Sequence, residues 1–221
     1  MKLAIFDVDG TISDSQTHIT HAMTLGFEAA GLPAPPASSV LQIVGLSLPL
    51  AVARLAPELD AATQEQIVEG YKQSYFTQRA ASPAPLYPGA AELLRKLAAR
   101  DDMLLAVATG KSRRGLRALL THHGLEGLFI SAQTADDHPS KPHPSMIGAA
   151  LADAGVSAAD AVMIGDTTFD IEMGRSAGVA TIGVRWGYHP HAELEAAGAH
   201  RMVSDFEALE AALLELWEMS A

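Results

Sequence analysis

The sequence predicts an α/β fold, a Rossmann-like parallel sheet with helices on both faces, interrupted by an inserted all-helical block. Short apolar runs recur at wide spacing, as in strands covered on both sides. Helical patterns separate them, which favours parallel pairing. One long stretch, residues 15–82, breaks this alternation and carries helical patterns only.

The elements follow in order. Residues 3–6 form the first apolar run and lead straight into Asp7. Residues 103–108 form the second, ending at Thr109-Gly110, and a shorter run at 128–130 is the next strand candidate. Residues 161–164 run into Gly165-Asp166, and residues 179–184 end near Trp186-Gly187. Helices are expected over 91–99, opened by Pro88-Gly89, and over 116–123, 146–154, 171–177 and 205–219. Inside the helical block the patterns cover 17–30, 40–55 and 61–81, with Pro33, Pro35 and Pro36 in the first loop and Ser82-Pro83-Ala84-Pro85 closing the block. The block reads as a cap over the sheet's edge, so the expected division is a core of residues 1–14 and 83–221 and a cap of 15–82.

Composition narrows the function. The chain has 221 residues and a formal net charge of -11, which disfavours nucleic acid because phosphate-backbone binding needs a basic face. There is no cysteine, hence no disulfide and no thiolate zinc site. No apolar run approaches the ~18 residues that span a bilayer, and MKLAIFDVDG lacks the pattern of a signal peptide; a cytoplasmic location is the expectation.

The chemistry lies where the apolar runs stop. Ligands of open parallel sheets bind at the carboxyl ends of the strands. There the chain places Asp7 and Asp9, then Thr109-Gly110, then Asp166 with Asp170 four residues on, and Lys141 in a neighbouring loop. Clustered carboxylates raise one another's pKa and persist when a cation neutralises them. An all-oxygen donor set suits a hard ion, and Mg²⁺ takes one or two carboxylates while keeping waters and substrate oxygens. A rigidly held aspartate can attack phosphorus. A second one two residues on, on the same side of an extended chain, can protonate the leaving group. Gly10 permits a tight turn and is expected to expose amides to phosphate oxygens.

Asp7-Val8-Asp9-Gly10-Thr11, Thr109-Gly110, Lys141-Pro142 and Gly165-Asp166-Thr167-Thr168-Phe169-Asp170 occur in this order. Together they resemble the four motifs of the haloacid dehalogenase superfamily. The helical insert and Tyr87-Pro88-Gly89-Ala90 resemble its phosphoglycolate phosphatase-like branch. The resemblance implies Asp7 as nucleophile and Mg²⁺ ligand, and Asp9 as general acid/base with its backbone carbonyl on the metal. It implies Thr109, the Gly110 amide and Lys141 around the transferring phosphoryl group, Lys141 also neutralising Asp7. Asp166 would ligate Mg²⁺ and Asp170 would support the metal site. The implied substrate is a small phosphorylated metabolite, with 2-phosphoglycolate the first candidate.

Plainer readings stand beside these. Asp-Gly pairs mark turns. Asp166 and Asp170 fit a helix cap and first-turn acid. Lys141 precedes Pro142, which suits the first position of a helix; a cation at that positive end calls for an anionic partner. Asp14 and Ser15 read as the N-cap of the first cap helix. Lys111, Arg113 and Arg114 either attract substrate anions or form a solvated helix start. His122 and His123 read as solvated or capping, and His189 and His191 as loop residues beside Pro190. Asp9 argues against a dehalogenase, which has no leaving alcohol to protonate. A sugar-phosphate mutase resembling this fold carries a cap histidine where Ile19 stands, with His18 one position out of register, and a cap arginine where Leu48 stands. Mutase, inorganic pyrophosphatase and a non-catalytic phosphate binder remain the alternatives, and the largely apolar loop Gly45-Leu46-Ser47-Leu48-Pro49 points to a small or weakly polar leaving group.

Overall fold

The computed structural model describes residues 1–218, apart from the side chains of 79–81 and 218. Its centre is one six-stranded parallel sheet of β1 (Lys2–Phe6), β2 (Met103–Thr109), β3 (Ser131–Thr134), β4 (Ala161–Gly165), β5 (Ala180–Val184) and β6 (Arg201–Val203). The order across the sheet is β3-β2-β1-β4-β5-β6. It reverses between β1 and β4, the place where such sheets open a crevice at their carboxyl ends.

The helices divide into two sets. Between β1 and β2 come α1 (Gln16–Ala29), α2 (Ala37–Leu41), α3 (Leu48–Leu55), α4 (Ala61–Ala81) and α5 (Ala90–Ala98). The remainder are α6 (Arg113–His123), α7 (Ser145–Ala154), α8 (Thr168–Ser176), α9 (His191–Ala196) and α10 (Phe206–Glu218). Successive β1 side chains point to opposite faces. Ala4 and Phe6 meet Leu94 and Leu97 of α5 and Leu213 of α10, while Leu3 and Ile5 meet Met146 and Ile147 of α7 and Met173 of α8. Burial on both faces explains why the central strands are continuously apolar.

The insert α1–α4 has its own core, in which Met23, Phe27, Val52 and Ile67 pack together. Phe169, from α8 beneath the sheet's edge, is buried in that same cluster. The two chain crossings run side by side: Ser13 bridges Leu86, and the Asp14 amide donates to the Pro85 carbonyl at 2.9 Å.

Four expectations are corrected. The apolar run at 128–130 is not a strand; Leu128 and Phe129 pack on the core from a loop and Ile130 is 51 % exposed, while the strand is the polar segment that follows. β6 and α9 were not anticipated, being short and without an apolar period. The expected helix over 40–55 is two helices: Ser47 is extended and Pro49 sits in the first turn of α3, where its missing N–H costs nothing. Asp205 stands ahead of α10 and accepts the Ala208 amide at 2.8 Å, and the expected end at Met219 lies outside the described residues.

Because Phe169 is 6 % exposed and joins the insert to the sheet, Phe169→Ala is expected to cost about 3–5 kcal/mol of stability. Urea unfolding of the two proteins measures it, and a loss below about 1 kcal/mol would show that this contact does not hold the two parts together.

Candidate active site

The ends of β1 and β4 bring the acids together. Phe6 lies beside Val107 of β2 and Ile164 of β4, and the Asp7 amide donates to the Ile164 carbonyl at 2.9 Å. Asp7 is therefore held by sheet backbone, 1 % exposed. Asp166 follows β4, and Asp170 stands in the first turn of α8, where it forms a capping box with Thr167. Oxygens of Asp7, Asp166 and Asp170 lie within 4.8 Å of one another. Lys141 is buried against them, its Nζ donating to Asp7 Oδ1 at 2.7 Å and to Asp170 Oδ1 at 2.6 Å. Asp166 accepts from Thr11 Oγ1 and from the Tyr188 amide, both at 2.9 Å.

One atom of this group has no protein partner: Asp7 Oδ2 is buried without a hydrogen bond. Burial pushes the Asp7 carboxyl up to about 7, with the Lys141 ammonium opposing and the Asp170 carboxylate adding to the rise. Burial, and then the charges of Asp7 and Asp170, hold Asp166 well above the ordinary carboxylate range. Burial pulls Lys141 down, but Asp170 and Asp7 together pull it up by more, so it stays an ammonium. One cation thus faces three acids. The orphaned oxygen and the all-carboxylate donors fit a hard divalent ion.

Lys141 is not at a helix start as the sequence suggested. α7 begins at Ser145 with Pro144 in the N-cap position, and Lys141 lies in the turn before it. Its anionic partners are the aspartates themselves. Gly10 has φ +91°, and a Cβ there would overlap the Asp166 carboxylate, so glycine lets Asp166 close on the motif. Its amide is not offered to a ligand as expected, because it donates to the Ser13 carbonyl at 2.9 Å.

Asp9 stands apart from the three-acid group. Its Oδ1 accepts from Lys111 Nζ at 2.8 Å and from Ser15 Oγ. Lys111 is no solvated helix start: its side chain is 7 % exposed, and Nζ also donates to the Tyr75 hydroxyl of α4 at 2.9 Å. Burial lowers its pKa, but Asp9 and Tyr75 raise it by more. Ser15 does occupy the N-cap position of α1, yet its hydroxyl caps nothing and turns to Asp9. Arg113 is a surface residue paired with Asp137, as the plainer reading held.

Thr109 and Gly110 end β2 beside Asp7, and the insert descends onto them. A Cβ on Gly110 would lie 2.5 Å from the Gly45 carbonyl oxygen and 2.7 Å from that of Leu46. Only glycine permits this approach. The Ser47 amide donates to Ser140 Oγ at 2.8 Å. His189 lies in the loop before α9, as expected, and is buried there: Nδ1 accepts the Thr168 amide at 3.2 Å, and Nε2 donates to the Gln42 carbonyl at 3.1 Å. Burial lowers its pKa, consistent with the neutral ring these partners require. His123 Nε2 likewise donates to the Ala84 carbonyl at 2.9 Å instead of capping or solvating α6. Between insert and sheet edge lies a cavity of about 510 Å³ reached by Asp7, Asp9, Thr109 and Gly110, and lined by the whole loop from Gly45 to Pro49. Sequence reasoning missed Thr11, Tyr71, Tyr75 and Tyr188 at this site. Thr11 lies inside the first motif, but the tyrosines carry no local signal.

The family model for haloacid dehalogenase-like hydrolases matches residues 4–184. The chain belongs to this family. The resemblance drawn from the four motifs is thereby borne out. The "Probable phosphatase IndB" of Dickeya dadantii is 34% identical, over 99% of this chain and 96% of that one. A phosphoglycolate phosphatase of Rhodospirillum rubrum is 32% identical, over 94% and 89%. The crystal structure of a hydrolase from Pseudomonas syringae superposes with a TM-score of 0.86 at 27% identity, over 97% and 99% of the two chains. Among the described residues, no helix of this family member is long and apolar enough to cross a membrane.

Asp7 is easier to protonate folded than unfolded. Its share of metal-free stability is therefore full below about pH 4 and is lost as pH rises through about 7. The lowered His189 acts in the opposite sense, so the comparison must isolate Asp7. In chelator, the melting temperature of Asp7→Asn minus that of the wild type is expected to grow from about pH 5 to about pH 8. A difference that stays flat or shrinks would contradict the raised pKa.

Proposed function

We propose that this haloacid dehalogenase-family phosphatase is Mg²⁺-dependent and hydrolyses a small phosphate monoester through an aspartyl-phosphate on Asp7. The observation that carries the reading is the division of labour at Asp7: Lys141 holds Oδ1, and Oδ2 is left without a partner beside Asp166 and Asp170.

Asp7, Asp166 and Asp170 would hold the ion, joined by the Asp9 backbone carbonyl as the family resemblance implies. Bound Mg²⁺ would neutralise the acids and the phosphate oxygens, the main requirement of phosphoryl transfer. The Asp7 carboxylate attacks phosphorus and the ester oxygen leaves, taking a proton from Asp9. Asp9, then a carboxylate, accepts a proton from the water that attacks the aspartyl-phosphate, and Asp7 is regenerated with release of phosphate. Thr109 and Gly110, at the mouth of β2, would receive the phosphoryl oxygens. Lys141 opposes the rise that burial imposes on the Asp7 carboxyl and offsets the charge of the phosphate.

Residues 15–82 act in this reading as a cap that opens and closes about the crossings at Asp14-Ser15 and Ser82-Pro83. Hydrolysis is favoured over mutase chemistry by the cap's own residues. Ile19 and Leu48 line the cavity, while the His18 ring donates to the Ser82 carbonyl at 2.6 Å. The relatives named phosphoglycolate phosphatase make 2-phosphoglycolate the reference ester.

Release of phosphate from an alkyl phosphate, followed with and without Mg²⁺, tests the proposal. Asp7→Asn is expected to abolish turnover, and Asp9→Asn to lower kcat about 10²- to 10⁴-fold. Wild-type rates in Asp7→Asn would end the covalent mechanism. Millimolar Mg²⁺ is expected to raise the wild-type melting temperature and to do so far less in Asp166→Asn; equal shifts would place the ion elsewhere.

A further inference from the structure

The cavity is built unlike a site for a small acid. A two-carbon phosphate ester is small beside this cavity of about 510 Å³. Its lining includes the apolar Met23, Ile43 and Leu46 and the aromatic Tyr71, Tyr75 and Phe76 of α4. Tyr71 and Tyr75 are stacked, ring centroids 5.6 Å apart and planes 10° from parallel. Phe76 is 41 % exposed, an apolar ring left at the mouth.

Among the described residues, three cations line the cavity, Lys111, Lys72 and Arg114. Lys111, the buried one, is shared between Asp9 and the Tyr75 hydroxyl. Arg114 lies over the Phe76 ring, 4.1 Å from its centroid. Lys72 is 60 % exposed and faces Glu69 at 3.9 Å, so it is solvated and weakly paired. Asp136 adds a carboxylate to the lining. A second anionic group next to the phosphate would have to take Lys111 from Asp9 or lie buried short of Lys72 and Arg114, which are exposed residues of the lining, and burial without a counterion is costly.

We propose that the leaving group is an uncharged alcohol carrying a flat ring, so that the physiological substrate is a ring-bearing phosphate monoester and not 2-phosphoglycolate or pyrophosphate. The ring packs along the α4 wall, where offset or edge-to-face contact with tyrosine and phenylalanine adds to the burial of apolar area. Lys111 serves Asp9 as a positioning residue and does not receive the leaving group. This rests on the phosphatase reading above and names the substrate class for that same site.

The test uses three primary-alcohol esters that share the CH₂–O–P unit: benzyl phosphate, ethyl phosphate and 2-phosphoglycolate. With Mg²⁺ present, kcat/KM for benzyl phosphate is expected to exceed each of the others by at least about tenfold. An equal or higher value for 2-phosphoglycolate overturns the exclusion of an anionic tail, and an equal value for ethyl phosphate overturns the ring. Lys111→Met is expected to lower kcat for all three by a similar factor; a loss confined to 2-phosphoglycolate would show Lys111 receiving its carboxylate. Binding is read separately from melting shifts with benzylphosphonate and phosphonoacetate, the former expected to be the larger. Turnover of none of the esters would overturn the phosphatase reading, and the phosphonate shifts would still decide the ring: a larger shift with phosphonoacetate rejects it.

Discussion

Three buried aspartates gather at one buried lysine that bonds two of them, and much of the molecule follows from that imbalance. Taking carboxylates out of water is costly unless they are paired and hydrogen-bonded. Lys141 satisfies one oxygen each of Asp7 and Asp170. Backbone and hydroxyl donors from Thr11, Thr167 and Tyr188 satisfy others. What they leave is the far oxygen of Asp7, held at the focus of the group by a strand that cannot shift without breaking the central pairing of the sheet. The unmet charge fits a cation, and the strand fixes where the carboxylate stands.

The insert is tied to this centre by few but specific contacts. The carbonyls of Gly45 and Leu46 rest on Gly110, Ser47 meets Ser140, and Gln42 meets His189. Phe169 enters the insert's core from a helix whose next residue, Asp170, belongs to the acid group. Seating of the insert and the arrangement of the acids are therefore mechanically adjacent. Asp9 is the clearest case. It is held by Ser15 at the head of α1 and by Lys111, which Tyr75 of α4 also holds. The helical insert thus touches the carboxylate that is proposed to move protons directly through Ser15 and, by way of Lys111, through Tyr75.

How far the chain could be read without coordinates depended on where each residue's environment comes from. The central strands were legible because burial on both faces demands unbroken apolar runs, and residues 3–6 and 161–164 have them. The edge strands were not. β3 reads SAQT and β6 reads RMV, and each pairs with a single neighbour, so neither needs to be apolar. The apolar residues just before β3 misled for the same reason, packing from a loop without pairing. At the site, all four motif segments were found and the structure gathers them at one edge. Lys111 and Ser15 were left undecided or read as local features, since their immediate neighbours in sequence resemble any helix start.

Taken as a string, the chain already specifies a parallel sheet with acids at the ends of its inner strands. An apolar run that stops at an aspartate needs no distant partner to be recognised. Folding settles which charges are buried, and with whom. Lys111 becomes a buried ammonium because Tyr75, 36 positions earlier, and Asp9, ahead of the insert, converge on it. Lys141 finds Asp7 134 positions away. The energy of a charge is set by whatever surrounds it in space, and no local pattern of residues encodes that.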